Sequence, residues 1–258
     1  VGPLVFPFVF TIHILNHSAM SVDAKRNMFQ DNIGFLFIGI WICTMIGFHR
    51  TYTIFFPQFT GFQWEQHFHG AVLMSWFAML IVQPFLIRFG KNSLHRTIGK
   101  LGYVIAPLVC FSIFLVLRMG YYRDLPKFPE HEVLRDMALP VPNIIVFGTF
   151  FILAMVNRRD SFVHMRYMIG TSLIMIGPGL GRALEIYGGF TMPQSKLVAY
   201  GLGEIIATLM LWNDFGKGSN VKPMLTVLSV LLLDHFIWIS RESAAWQAFA
   251  KWFAAHAF

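Results

Sequence analysis

The stretch His69-GAVLMSWFAMLIVQPFLI-Arg88 decides the fold class. Nothing between His69 and Arg88 is charged, and a helix rising about 1.5 Å per residue carries the chain roughly 28 Å from one to the other. That nearly matches the ~30 Å of hydrocarbon in a bilayer, so His69 and Arg88 mark the two interfaces of a transmembrane helix. Six further apolar runs lie outside it, and together they predict an all-α, polytopic transmembrane bundle of about seven spans. The spans run from Ile33 to Phe48, Gly70 to Ile87, Ile98 to Leu117, Leu139 to Val156, Met165 to Ile186, Leu197 to Trp212 and Pro223 to Ser240.

Composition agrees with this reading. Hydrophobic residues make up 56% of the chain, charged residues 13%, and 28 of the 258 residues are Phe, more apolar surface than a water-soluble domain of this size conceals. The formal charge of +7 is therefore assigned to loops facing anionic lipid headgroups. No basic run with interleaved aromatics points to nucleic acid. Cys43 and Cys110 sit in apolar runs and read as small buried hydrophobes.

The whole chain, 1–258, reads as one membrane domain. Residues 1–32 form an N-terminal interfacial or re-entrant segment with Pro3 and Pro7 in its apolar part, and His13 and His17 share a face there if it is helical. Pro140 and Pro142 open the fourth span, where a missing N–H costs little. Gly177, Pro178, Gly179 and Gly181 predict a kink or a close helix approach in the second half of the fifth. Two added spans occupy 197–240, and residues 241–258, with Trp246, Phe249, Trp252 and Phe253, read as an amphipathic tail along the outer interface or against a partner subunit. Lys and Arg are nearly balanced between the two sides, but the short loops 88–100 and 158–166 hold the densest positive clusters on one side. That side is placed in the cytoplasm together with the start of the chain.

Within 67–187 the sequence shows a recurring pattern. His69 opens a helix that Gln83 and Arg88 close, Leu94-His95-Arg96-Thr97-Ile98-Gly99-Lys100 opens the next, and His164-Met-Arg166-Tyr-Met168 leads to Gly181-Arg182. This resembles an uncharacterised family of predicted bacterial polytopic membrane proteins, which implies a bacterial inner membrane and no particular activity. More distantly it is similar to four-helix b-type membrane cytochromes, which hold heme between histidines on alternate helices. That likeness implies a four-helix core with His95 and His164 as heme b ligands and Arg96 and Arg166 beside the propionates. A quinone headgroup is a further candidate there. The bland account has these residues binding lipid phosphate at helix N-termini.

A second constellation rests on depth alone. Glu204, Asp234 and His235 lie at matching depths in the outer half of the last two spans, with Arg182 and Glu185 at the same level and Arg118, His49 and His69 just above. The predicted polar pocket has several readings. It is a divalent metal site of His69, Glu204, Asp234 and His235, a proton path, a ligand pocket, or an internal ion-pair network in which Arg182 neutralises Glu204 or Asp234. Three functions follow: a membrane redox protein associated with heme b or quinone, a metal-dependent membrane-embedded enzyme, or a non-catalytic subunit among other membrane subunits. Walker, dinucleotide, nucleophile-elbow and HExxH motifs do not occur.

Overall fold

The structure, a computed structural model, describes residues 32–258. The expectations for the N-terminal segment, His13 and His17 among them, lie outside the described residues. The described residues are helical, without a strand. In chain order they form α1 (Ile33–His49), α2 (Trp64–Arg88), α3 (Asn92–Gly99), α4 (Gly102–Asp124), α5 (Glu130–Asp136), α6 (Pro140–Val156), α7 (Ser161–Leu173), α8 (Ile176–Tyr187), α9 (Met192–Gly216), α10 (Lys222–Ile239) and α11 (Ala244–Ala257), with a 3-10 turn at Thr53–Phe55.

Among the described residues five stretches are long and apolar enough to cross a membrane: α2, α4, Glu130–Val156 (which includes α6), α9 and α10. The chain is thus built as a multi-pass membrane protein. Seven spans were expected. Of the other two, α1 is apolar but only 17 residues long, and 165–186 is divided between α7 and α8. The division has a local cause. Pro178 has no N–H to offer the carbonyl of Ile174, and the glycines on either side of it stabilise helix least.

The same glycines bring helices together. A Cβ on Gly179 would lie 2.7 Å from Thr44 Cα, and one on Gly47 would collide with the Gly179 carbonyl, so α1 and α8 touch backbone to backbone. Around the bundle α1 packs on α2, α2 on α4, α4 on α6, α6 on α7, α7 on α10, α10 on α9, and α9 on α8. Helix α7 has the most buried surface, with Val163, Arg166, Tyr167 and every residue from Ile169 to Leu173 enclosed. The main core runs through Phe37, Trp76, Phe77, Phe147, Phe150, Ile169 and Met224.

A second, smaller core joins α11 to α5. Trp246 donates from Nε1 to the Leu134 carbonyl (2.9 Å), Gln247 donates to the His131 carbonyl (3.1 Å), and Ala250 and Ala254 pack against Leu134 and Met137. The C-terminal tail therefore covers its own chain, while Trp252 remains 58% exposed.

Candidate functional site

Three polar groupings stand inside this apolar frame. The innermost is a closed ion pair. Asp160 accepts from the backbone N–H groups of Phe162 (3.0 Å) and Val163 (3.1 Å), which starts α7 and turns Arg166 into the bundle. Arg166 donates from Nε to Asp214 Oδ2 (2.8 Å) and from Nη2 to Oδ1 (2.5 Å), and its guanidinium lies 4.4 Å from the Phe162 ring centre. The two side chains are 3% and 1% exposed. Arg166 is thus engaged by a carboxylate of its own chain.

Beside this pair lie the two histidines on the expected common side. The His164 charge lies near enough to His95 to act on it. His164 Nδ1 is 2.9 Å from the Ala154 carbonyl, so the ring proton sits on Nδ1 and Nε2 is bare. His95 is held from α2. With its oxygen accepting from the Gly99 N–H (3.1 Å), the Gln83 amide points its nitrogen at the His95 carbonyl (3.1 Å) and at Nδ1. An amide donor at Nδ1 leaves the His95 proton on Nε2. Burial first, then the charges of His164 and Arg96, hold the His95 pKa below its ordinary 6.5.

The third grouping joins α9 and α10. His235 Nδ1 lies 2.7 Å from Glu204 Oε1, with the side chains 12% and 18% exposed. The Tyr200 ring stacks on His235 at 4.7 Å, nearly parallel at 5°, and its hydroxyl faces Asp234 without a hydrogen bond of normal geometry. Asp234 is 2% exposed, and Asp234 Oδ1, Tyr200 Oη and His235 Nε2 are buried with no hydrogen-bond partner among the described residues. A cavity of about 20 Å³ touches Tyr200, Asp234 and Asn143 and reaches the α7/α8 break at Ile174 and Gly177. That is room for one water, in the place where a broken helix leaves carbonyls to be satisfied.

The structure therefore brings Glu204, Asp234 and His235 together and keeps His69 apart from them. Ser112 donates to the Val109 carbonyl (2.8 Å), so it accepts from His69 Nδ1 (3.0 Å), between α2 and α4. His67 turns instead to Tyr52, with Nδ1 2.6 Å from its hydroxyl. Among the described residues no three His, Cys, Asp or Glu side chains converge to hold a metal ion. Arg182 does not reach Glu204 or Asp234. It donates weakly to Thr51 Oγ1 (3.4 Å), lies 4.5 Å from the Phe48 ring centre, and has Glu185 as the acid that acts on it most strongly. Glu185 itself accepts from Ser195 Oγ (2.5 Å) and lies 3.5 Å from Lys196 Nζ, which rests against Gly181 where a Cβ would stand. His49 contacts Thr53 (3.2 Å) at the surface, and the Arg118 guanidinium lies 5.3 Å from the Tyr122 ring centre.

Four participants escape a reading of the sequence: Asp214, Tyr200, Lys196 and Ser195. Asp214 and Lys196 stand near span ends, where charges are ordinary, and Tyr200 resembles an interfacial aromatic. For Lys196 and Tyr200, spacing on α9 is the signal that could have found them. Lys196, Tyr200 and Glu204 follow at steps of four and form one polar stripe along a helix otherwise facing core and lipid. Comparison with known proteins finds no matching family model, no matching curated protein and no matching solved structure.

Proposed function

We propose that the protein is a proton-handling membrane protein that crosses the bilayer seven times, with α1 and the α7/α8 pair as the two crossings beyond the five long stretches. The loops 88–102 and 156–161 face the cytoplasm in this reading, so the α9–α10 cluster stands in the outer half of the membrane. One observation carries the proposal. Asp234, Tyr200, Glu204 and His235 meet inside the bundle, three of their polar atoms lack partners, and Asp234 and Tyr200 line a one-water cavity.

Charge in such a place is expensive unless it is balanced. Two carboxylates and one imidazole balance by binding protons, and Arg241, whose guanidinium lies 4.0 Å from the Trp238 ring centre at the end of α10, supplies the nearby fixed positive charge. His235 can pass a proton to Glu204 through Nδ1, and Tyr200 is a hydroxyl relay facing Asp234. A water in the cavity bridges Tyr200 and Asp234. The test is proton flux into liposomes holding the purified protein under an imposed pH gradient, reported by a trapped pH-sensitive dye. The reading predicts flux above empty liposomes that falls at least tenfold in Asp234→Asn. Equal flux in wild type, variant and empty liposomes defeats it.

A specific observation also favours a second reading at the cytoplasmic side. His164 offers a bare Nε2 and His95 carries its proton on Nε2, so the pair presents one acceptor and one donor. Bis-histidine heme needs two bare nitrogens, which this arrangement does not supply. A quinone headgroup, with carbonyls to accept and hydroxyls to donate, suits it. Saturable quenching of Trp fluorescence by a soluble benzoquinone analogue, lost in His164→Ala, is the expected result. A Soret band in the purified protein would select heme instead.

A further inference from the structure

A polar cavity of about 390 Å³ lies between the end of α4, α5 and α8. Its charged walls are Arg123, Asp124, Glu132, Arg135, Asp136 and Arg182. Five of these six are engaged with one another. Arg123 meets Asp124 at 2.6 Å, and Arg135 meets Asp136 at 3.0 Å and Glu132 at 3.9 Å. Arg182 is the exception. Among the described residues no carboxylate lies within 4 Å of it, and its contacts are the 3.4 Å bond to Thr51 and the face of Phe48. The nearby acid, Glu185, is already taken by Ser195 and Lys196. Arg182 is nonetheless accessible, because it opens into the cavity.

We infer that this cavity binds an oxyanion, a carboxylate or phosphate group, on the Arg182 guanidinium. A guanidinium presents a planar fork of donors that matches two oxygens of such a group. A cation in this half of the bundle, packed against an aromatic face and short of a counter-ion, gains one when an oxyanion enters. The volume suits a small solute with polar substituents, for which Arg135 and its cluster of acids, lining the same cavity, offer donors and acceptors. A lipid headgroup phosphate has the same chemistry. The inference is independent of proton exchange at Asp234, since it uses none of the α9–α10 cluster.

The experiment is calorimetric titration of the purified full chain with inorganic phosphate and with acetate in a non-ionic detergent. It is repeated in lipid nanodiscs of phosphatidylcholine with and without phosphatidylglycerol, read by competition with phosphate. Saturable binding of phosphate or acetate that weakens tenfold or more in Arg182→Gln, and less in Arg182→Lys, is expected of a soluble oxyanion. Phosphate binding that disappears only in phosphatidylglycerol discs assigns the site to the headgroup and also upholds the inference. Binding unchanged in Arg182→Gln, or no binding of either probe, overturns it. Wild-type protein gives a second readout should the variant not fold. Phosphate should slow modification of Arg182 by phenylglyoxal, seen by peptide mass spectrometry, and an unaltered rate counts against the site.

Discussion

Two regions of α9 place ionisable groups in the same apolar bundle and treat them differently. Near its C-terminal end Asp214 meets Arg166 in a two-point ion pair. Further along, Glu204 meets His235, while Asp234 and Tyr200 face each other with polar atoms unsatisfied beside a cavity. In the first region the two charges neutralise each other, and any change in protonation strands one of them. The second is incomplete, so protons and water can come and go at lower cost. A filled pair fixes register; an unfilled one is available for chemistry.

The largest effect should come from breaking the filled pair. Asp214→Ala leaves Arg166 without its carboxylate and is expected to cost about 3–5 kcal/mol in unfolding measured in detergent. The corresponding change in the open cluster should behave oppositely: Asp234→Asn replaces a buried carboxyl whose Oδ1 lacks a partner, and should leave the melting temperature unchanged or raised. Apolar close approach gives the next effect. Gly179→Ala must push α8 off Thr44, for an expected loss of about 1–3 kcal/mol by the same measurement. At the water-facing edge, Lys251→Ala should change stability by less than about 1 kcal/mol, because Lys251 and Glu130 meet at 3.0 Å with side chains 65% and 49% exposed.

His95 adds a pH dependence whose sign is fixed. Its folded pKa is below 6.5, so the unfolded chain takes up the proton more readily. The contribution of neutral His95 is fully present above pH 6.5 and is lost as pH falls from there through the folded value. Thermal denaturation between pH 7.5 and pH 5 should show this loss, and His95→Gln should reduce it.

Much of the architecture could be read directly because apolar length is a one-dimensional signal. His69 to Arg88 became α2 with its C-terminal end at Arg88, and the glycines around Pro178 became both a helix break and a close approach. Depth likewise placed Glu204, Asp234 and His235 at one level. Depth carries no azimuth, however. His69, read just above that level, turns to Ser112, and Arg182, read at it, turns toward Thr51 and Phe48. Partnering across helices was the illegible part. Nothing local in Arg166 announces Asp214, forty-eight positions away, and the positive character of the 158–166 loop suggested lipid phosphate or propionate in its place.

Proton exchange at Asp234 is tested most directly by infrared difference spectroscopy on the membrane-reconstituted protein as bulk pH is lowered. The account predicts a carboxylic-acid C=O band that disappears in Asp234→Asn and moves in Tyr200→Phe, whose missing hydroxyl faces that carboxyl. A band equally strong in Asp234→Asn, or none in the wild type, would contradict it.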